Sequence, residues 1–330
     1  MKRVSNNQHS RHGFTIIELL TVMSIIIILI GLLVPSLNRV RRYSMDVKQR
    51  AQFHSIAVAL DLFNAEFDGY PNSDAMDDQA TPQNYCGAMK LTEALVGQDL
   101  KGFNPASYFR RNGFQGALTT PWDGMPYPPY NTCGSLVRDT ADKACYNDNI
   151  RSRKTYLQLE NANAYLIKDI YSATAISAAG YTNHAGFDPC TFVLCDSYNR
   201  VTNRTTGKKI GMPILYYKAD SAKLGHPLPS DSPATISGNI AKYIYNVYDN
   251  QDLIDMGLPW FVGPAHPLGS GGGTIEGYTI SDWPKKFYDI TRDTKINTGD
   301  RPVRADSYIL MSAGFDGEYG TKDDIYNFGD

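Results

Sequence analysis

The sequence of 330 residues has little of what identifies most enzymes and nucleic-acid-binding proteins. Histidine is scarce, with six residues, and the motifs H-E-x-x-H, G-x-S-x-G and S-x-x-K are absent. The 32 basic and 34 acidic residues give a net charge of −2, so no excess of positive charge indicates binding to nucleic acid. We therefore predict that the chain is not an enzyme, and its composition indicates no nucleic-acid partner.

Cysteine is missing from the first 70 residues, and no pair of cysteines has the C-x-x-C spacing of a zinc knuckle or a thioredoxin-like site. The five cysteines are Cys86, Cys133, Cys145, Cys190 and Cys195. In an exported region, disulfides are the usual state of such residues. We predict a disulfide that involves Cys190 and Cys195, or two bridges among the five with one thiol left free. The sequence does not decide the pairing.

The N-terminal segment changes character abruptly after a short basic stretch. The first 12 residues contain no acidic residue, and the 21 residues from Phe14 to Val34 carry Glu18 as their one charge. A helix of that length spans about 30 Å, the thickness of a bilayer core. A cleavable secretory signal has a shorter apolar region and a small-x-small site, which this segment lacks. The run therefore predicts a membrane-spanning helix.

Glu18 is the unusual feature of this span, because a carboxylate inside a bilayer costs a few kcal/mol and is usually paired or functional. A second interpretation is that Glu18 reaches towards the lipid headgroups, since it lies near the start of the apolar run. The charge alone does not separate these two interpretations.

The neighbours of Glu18 separate them. The string Gly-Phe-Thr-Ile-Ile-Glu-Leu-Leu, which begins at Gly13, resembles the processing signal of type IV pilins and type II secretion pseudopilins. The resemblance implies that prepilin peptidase removes residues 1–13 by cutting after Gly13, and that Phe14 becomes the N-methylated terminus. It also implies that Glu18 pairs with the terminal amine of a neighbouring subunit during assembly.

The same resemblance implies a structural subunit of a filament like the type II secretion pseudopilus or the type IV pilus. Its partners would be prepilin peptidase, copies of itself, other pilin-like subunits and the assembly platform of the inner membrane. The chain would cross the inner membrane once, with a cytoplasmic N-terminus before processing and a periplasmic or extracellular C-terminal domain. Two alternatives remain: a minor type IV pilin for adhesion or DNA uptake, and a membrane-anchored periplasmic enzyme or binding domain.

The distribution of basic residues does not indicate this orientation. Three lysines and arginines precede the span, and five follow it within the next 16 residues. A count of positive charges on the two sides would place the N-terminus outside the cytoplasm. The orientation is therefore predicted from the family resemblance and not from the charges.

The helix is predicted to continue beyond the membrane. An apolar stripe with alternating spacings of three and four residues is formed by Phe53, Ile56, Leu60, Phe63 and Phe67, and stop signals follow it. One helix would thus extend from residue 14 to about residue 68, with or without a bend at Pro35. The predicted organisation is a leader (1–13), a transmembrane and assembly helix (14–37), the amphipathic half of that helix (38–70) and a globular domain (71–330).

The globular domain is predicted to complete an α+β fold with a small antiparallel sheet and large loop insertions. Short strands are expected at Thr191–Leu194, Ile214–Tyr217 and Tyr308–Ser312. A helix is expected from Arg151 to Tyr171, and Ile240–Tyr248 fits either a helix or a strand. The domain is far larger than that of a major pseudopilin, which favours a minor or specialised subunit.

The segment from Asp316 to Asp324 has four acidic residues and two glycines in nine positions. Calcium prefers carboxylate and carbonyl oxygens, and glycines allow a short loop to wrap the ion, although the EF-hand pattern is not met. The segment resembles the C-terminal calcium loop of the major pseudopilin. By that resemblance, Asp316, Asp323 and Asp324 are the expected ligands of a structural Ca²⁺. The alternative is an acidic turn exposed to solvent.

Overall fold

The computed structural model describes most of the chain in six segments, residues 15–77, 84–111, 153–176, 191–223, 242–260 and 301–329. It also describes the single residues Pro82, Arg151, Gly225, Asn239, His266, Leu268, Gly269 and Phe287. In this part of the chain a long N-terminal helix precedes three small antiparallel sheets, which confirms the predicted α+β class. The chain forms two compact units, Met1–Met45 and Asp46–Asp330.

The helices are α1 (Ile16–Phe67), α2 (Gly87–Val96), α3 (Leu159–Ala162), α4 (Ile167–Ile170), α5 (Ala173–Ile176) and α6 (Gln251–Asp255), with 3₁₀ turns at Pro105–Ser107 and Val247–Asn250. The strands are β1 (Ala164–Leu166), β2 (Phe192–Leu194), β3 (Val201–Thr202), β4 (Lys209–Ile210), β5 (Leu215–Lys218), β6 (Tyr308–Ser312) and β7 (Ile325–Tyr326). They pair as β1–β2, β3–β4 and β5–β6–β7.

Helix α1 has 52 residues and continues through Pro35, as the sequence predicted. Proline has no N–H, so one hydrogen bond of the helix, to the carbonyl of Gly31, is lost at this point. Between Ile16 and Tyr43 every large apolar side chain of α1 is at least 43% exposed. Its most apolar window of 18 residues has a mean hydropathy of 2.8, which suits a helix that crosses a membrane.

In the second unit, α1 buries one face. Four members of the predicted stripe, Phe53, Ile56, Leu60 and Phe63, are at most 4% exposed, whereas Phe67 remains 37% exposed in the last turn. Two glutamines on the same part of the helix, Gln49 and Gln52, are also buried. This half of α1 therefore belongs to the core of the domain.

The centre of the domain is helix α2, all of whose residues are buried. It packs against strands β2 and β5, and its first residue passes very close to β5. A Cβ atom on Gly87 would lie 2.3 Å from the carbonyl oxygen of Tyr216, so only glycine allows this approach. Strand β5 then pairs with β6, with Tyr216 opposite Leu310, and β6 pairs with β7.

Two expectations for the domain are corrected. The helix predicted from Arg151 to Tyr171 is wrong, because Asn163 adopts a left-handed conformation (φ 45°) and ends α3. Asparagine tolerates this conformation better than most residues, and strand β1 follows immediately to pair with β2. The segment 242–248 forms bends and a single β-bridge at Tyr243 before the 3₁₀ turn at Val247, so it is neither a regular helix nor a regular strand.

Candidate functional site

The start of α1 contains a hydrogen-bonded cap built from two residues of the processing signal. The backbone N–H and the hydroxyl of Thr15 donate to Oε2 of Glu18, at 2.9 and 2.8 Å, and the Glu18 N–H donates to Thr15 Oγ1 at 3.3 Å. This reciprocal arrangement is the capping box of a helix N-terminus, with threonine followed three residues later by glutamate. Gly13 and Phe14 lie outside the described residues.

The capping box gives Glu18 a role inside its own subunit that the family resemblance did not indicate. Both bonds that Glu18 accepts use Oε2, while Oε1 makes no hydrogen bond in the described part of the chain. The negative charge also lies in the first turn of the helix, where it interacts favourably with the helix dipole. The free subunit therefore holds the carboxylate in a fixed position near the start of α1, with one oxygen available.

The second half of α1 is attached to the domain by polar side chains that the search for an apolar stripe missed. Three of them, spaced three residues apart, bind the turn that follows β2. The bonds are Tyr198 OH to Asp46 Oδ1 (2.6 Å), Ser197 N–H to Gln49 Oε1 (2.8 Å) and Gln52 Nε2 to the Cys195 carbonyl (2.8 Å). The sequence contains a signal for these contacts, because polar residues spaced three apart lie on one face of a helix, next to the apolar stripe.

The same turn is tied to the C-terminal strand through a buried carboxylate. Asp196 is 1% exposed and accepts a hydrogen bond from the hydroxyl of Ser312, at 2.8 Å, on strand β6. It also accepts from the N–H groups of Tyr198 and Met212, at 3.2 and 3.1 Å. Burial raises the pKa of Asp196 to about 7 despite these donors. Asp196 therefore joins the helix-binding turn to the central sheet.

The acidic loop near the C-terminus, residues 313–324, folds around its own carboxylates. The bonds are Asp316 N–H to Asp323 Oδ2 (2.9 Å), Glu318 N–H to Asp316 Oδ1 (2.8 Å) and Gly320 N–H to Asp324 Oδ2 (2.8 Å). Gly314 has a φ of +64°, and a Cβ there would lie 2.1 Å from the Asp323 carbonyl. Only glycine therefore fits at position 314, where the backbone at the start of the loop lies against that at its end.

The structure brings two of the three predicted calcium ligands together. Burial, and then the neighbouring Asp323 carboxylate, raise the pKa of Asp316 to about 6. Burial also acts to raise the pKa of Asp323, but hydrogen bonds from Thr321 and Asp316 lower it below its ordinary value. Because the two carboxyl groups lie beside each other, a cation next to them would relieve their repulsion. This pair fits part of a calcium site.

The third predicted ligand, Asp324, is placed elsewhere. Its Oδ2 accepts from the Gly320 N–H at 2.8 Å and from the Tyr326 hydroxyl at 3.3 Å. In the described part of the chain, no group of three or more His, Cys, Asp or Glu side chains is arranged to hold a metal ion. The predicted set of three carboxylates is therefore not assembled, because Asp324 caps the loop backbone.

Two of the five cysteines, Cys86 and Cys195, are buried free thiols. Burial raises the pKa of the Cys86 thiol to about 12, and it raises that of Cys195 as well, so both resist ionisation. The other three, Cys133, Cys145 and Cys190, lie outside the described residues. The structure gives no support to the bridge predicted between Cys190 and Cys195.

Comparison with known proteins agrees with the N-terminal geometry. A family model described as the prokaryotic N-terminal methylation motif matches residues 8–34, a range that includes Gly13, Phe14 and Glu18. No curated protein and no solved structure matches the chain. The apolar start of α1 indicates membrane anchoring. The motif, together with the long apolar helix that follows it, fits a type IV pilin-like precursor processed by prepilin peptidase.

Proposed function

We propose that the mature chain is a structural, non-enzymatic subunit of a filament like the type II secretion pseudopilus or the type IV pilus. The observation that carries the proposal is the position of the methylation motif at the start of α1. Within the motif the helix is apolar and exposed, and from residue 49 onwards one face is buried in the domain. Such a helix can leave a bilayer only if other apolar helices replace the lipid.

Glu18 is proposed to guide assembly. Cleavage after Gly13 would create a positively charged amine at Phe14, close in sequence to the Glu18 carboxylate. A carboxylate in an apolar environment is costly until a cation reaches it. A neighbouring subunit placed so that its amine does not reach Glu18 would leave this cost in place and would therefore be disfavoured. The available Oε1 of Glu18 suits an amine from a neighbouring copy, so the pair would favour one stagger between subunits.

Within this proposal, a minor or specialised subunit is favoured over a major one. The domain after α1 extends from residue 68 to the end of the chain, far more than a simple filament repeat requires. Expected partners are prepilin peptidase, copies of itself, other pilin-like subunits and the assembly platform. The proposed topology is a single crossing of the inner membrane, with a cytoplasmic leader and a periplasmic or extracellular domain.

Two substitutions separate the charge of Glu18 from its capping role. Glu18→Gln keeps a capping residue of the same size, because glutamine also completes a capping box, but it removes the charge. Thr15→Val removes the hydroxyl of the cap and keeps the charge. We expect Glu18→Gln to abolish filament or secretion complementation in a deletion strain while processing continues. Thr15→Val should retain most of the activity.

Immunoblots for cleavage and for membrane-bound protein are needed in the same strains, so that loss of assembly is separated from loss of the protein. Normal complementation by Glu18→Gln would remove the proposed charge pair. Loss of function in Thr15→Val alone would assign Glu18 to helix capping and not to assembly.

Calcium is proposed as a structural ligand of the acidic loop, held by Asp316 and Asp323 together with carbonyl oxygens. Melting of the full chain in detergent should show a higher transition temperature in calcium than in EDTA, and magnesium should have less effect. The expected stabilisation is about 2.7 kcal/mol at a hundredfold excess over Kd. Asp323→Asn should remove this response, while Asp324→Asn serves as the matched control. Equal melting in calcium and in EDTA would contradict the site.

A further inference from the structure

A cleft of about 660 Å³ lies beside the C-terminal end of α1, within the second compact unit. Its volume falls in the range of small-molecule sites. One wall is aromatic and is formed by Phe63, Phe67, Phe103, Tyr108 and Phe109. Another part of the lining, the polar wall, is formed by Ser73, Asp74, Lys218, Asp220, Lys223 and Asp249. No part of the proposed assembly role uses this cleft.

The aromatic wall is held in place by ring contacts. The Phe103 ring meets Phe63 edge-on at 5.2 Å, meets Phe67 edge-on at 5.3 Å and stacks on Phe109 at 5.1 Å between centroids. These distances are those of favourable aromatic pairs. Tyr108 and Phe67 are 53% and 37% exposed, so the wall offers two rings to a ligand.

The turn that carries Tyr108 and Phe109 has an unusual backbone. Both residues have positive φ angles, 53° and 52°, which bulky side chains rarely adopt. The turn is fixed from within the domain, since the Ser107 hydroxyl donates to the buried Glu93 carboxylate and the Gln98 side chain donates to the Arg110 carbonyl. Conformations of this cost persist where the surroundings impose them, often at binding sites.

The polar wall contains a buried carboxylate with an oxygen that lacks a partner. Asp249 is 2% exposed, and its Oδ2 accepts a hydrogen bond of 2.5 Å from Ser73. Its Oδ1 is buried and makes no hydrogen bond in the described part of the chain. Burial raises the pKa of Asp249 to about 8. With that pKa the carboxyl group is largely protonated at neutral pH, so Asp249 adds little negative charge to the cleft.

The charges of this wall are nearly balanced. Lys223 forms an ion pair with Asp220 at 3.1 Å, and the ammonium group of Lys90 donates to the Asp74 carbonyl at 2.7 Å near the Asp74 carboxylate. An anionic ligand would meet several carboxyl groups, while a cation would compete with lysines already in place. The combination of exposed aromatic rings, polar side chains and little net charge suits a neutral molecule with many hydroxyl groups.

We propose that this cleft binds a neutral oligosaccharide, with a sugar ring against Tyr108 and Phe67 and hydroxyl groups facing the polar side chains of the lining. A sugar ring has an apolar C–H face for the aromatic wall and hydroxyl donors at its edge for the polar wall. The site would give the subunit a surface for a glycan. It does not depend on filament assembly, so it can be tested on the unassembled chain.

The test uses the full chain in a polyoxyethylene detergent, which has no sugar headgroup. Saturation-transfer NMR titrations with cellotetraose, maltotetraose and chitotetraose should show binding of at least one of them. Tyr108→Asn, chosen because asparagine tolerates a positive φ, should weaken that binding by about tenfold or more. Tyr43→Asn changes an exposed tyrosine that does not line the cleft, and it should leave binding unchanged.

Three results would overturn the proposal. The first is no binding of any of the three oligosaccharides, and the second is equal binding by the wild type and by Tyr108→Asn. The third is displacement of the bound oligosaccharide by tetramethylammonium at equal concentration, which would assign the cleft to organic cations recognised by aromatic rings. Failure of the Glu18 experiments would leave this site untouched, because binding is measured on subunits that have not assembled.

Discussion

The two halves of α1 share one backbone but meet different surroundings. The first half, to Met45, is largely exposed, and it is apolar on all sides up to Val34, after which three arginines follow. Its one carboxylate is bound to the residue that caps the helix. The second half buries a single face, which combines aromatic and aliphatic side chains with Gln49 and Gln52. A helix that is apolar all round requires an apolar partner outside its own domain, whereas an amphipathic helix is completed by its own fold. The first half is thus suited to lipid or to other subunits.

The largest expected difference between the halves is in packing. Leu60→Ala removes a side chain with 0% exposure and should lower the free energy of unfolding of the domain by about 2–5 kcal/mol. Leu29→Ala makes the same change at a side chain that is 60% exposed, and should leave the melting of the domain unchanged. Near-ultraviolet circular dichroism of the full chain in detergent follows both transitions. Equal losses from the two substitutions would contradict the division of α1.

A smaller effect is expected from the polar attachment of the second half. Gln52→Ala removes the hydrogen bond of 2.8 Å to the Cys195 carbonyl, and should cost about 1 kcal/mol of domain stability. Lys48→Ala, at an exposed position of the same helix, is the control and should change little. If both variants melt like the wild type, the glutamine does not attach the helix to the turn.

The smallest expected effect concerns the hydrogen bond between Asp46 and Tyr198, where the contribution of the bond can be separated from that of the charge. Asp46→Asn keeps an oxygen that can accept the bond from the Tyr198 hydroxyl, now 2.6 Å long, and removes the charge. We expect a change in domain stability within about 0.5 kcal/mol. Asp46→Ala, which removes the acceptor, should cost more than Asp46→Asn. The reverse order in chemical denaturation would show that the negative charge is what matters.

The sequence predicted those features of the fold that depend on local pattern. The long apolar helix, the buried stripe from Phe53 to Phe63 and strand β6 each follow from the spacing of apolar residues, and the structure confirms them. A functional role for Glu18 is predicted because a charged residue is rare in an apolar run. Thr15 and Glu18 form a T-x-x-E motif, which is typical of a capping box. The family resemblance instead implies a partner for Glu18 in another subunit.

Features that depend on distant contacts were not predictable in the same way. The helix expected after Arg151 gives way to β1 because β2, almost 30 residues later, supplies a pairing partner. The separation of Asp324 from the Asp316–Asp323 pair depends on which loop amide each carboxylate caps. The cleft joins four separate stretches of the chain between Phe63 and Asp249, a combination without a linear signature.

The central claim is that the chain is a pilin-like precursor whose apolar half of α1 becomes the mature N-terminus. Its most direct test is the intact mass and N-terminal sequence of the protein extracted from membranes. Cleavage between Gly13 and Phe14 removes 13 of the 330 residues, so the predicted product has 317 residues and a methylated Phe14 at its start. A mature protein that begins at Met1, or after residue 34, would contradict the claim.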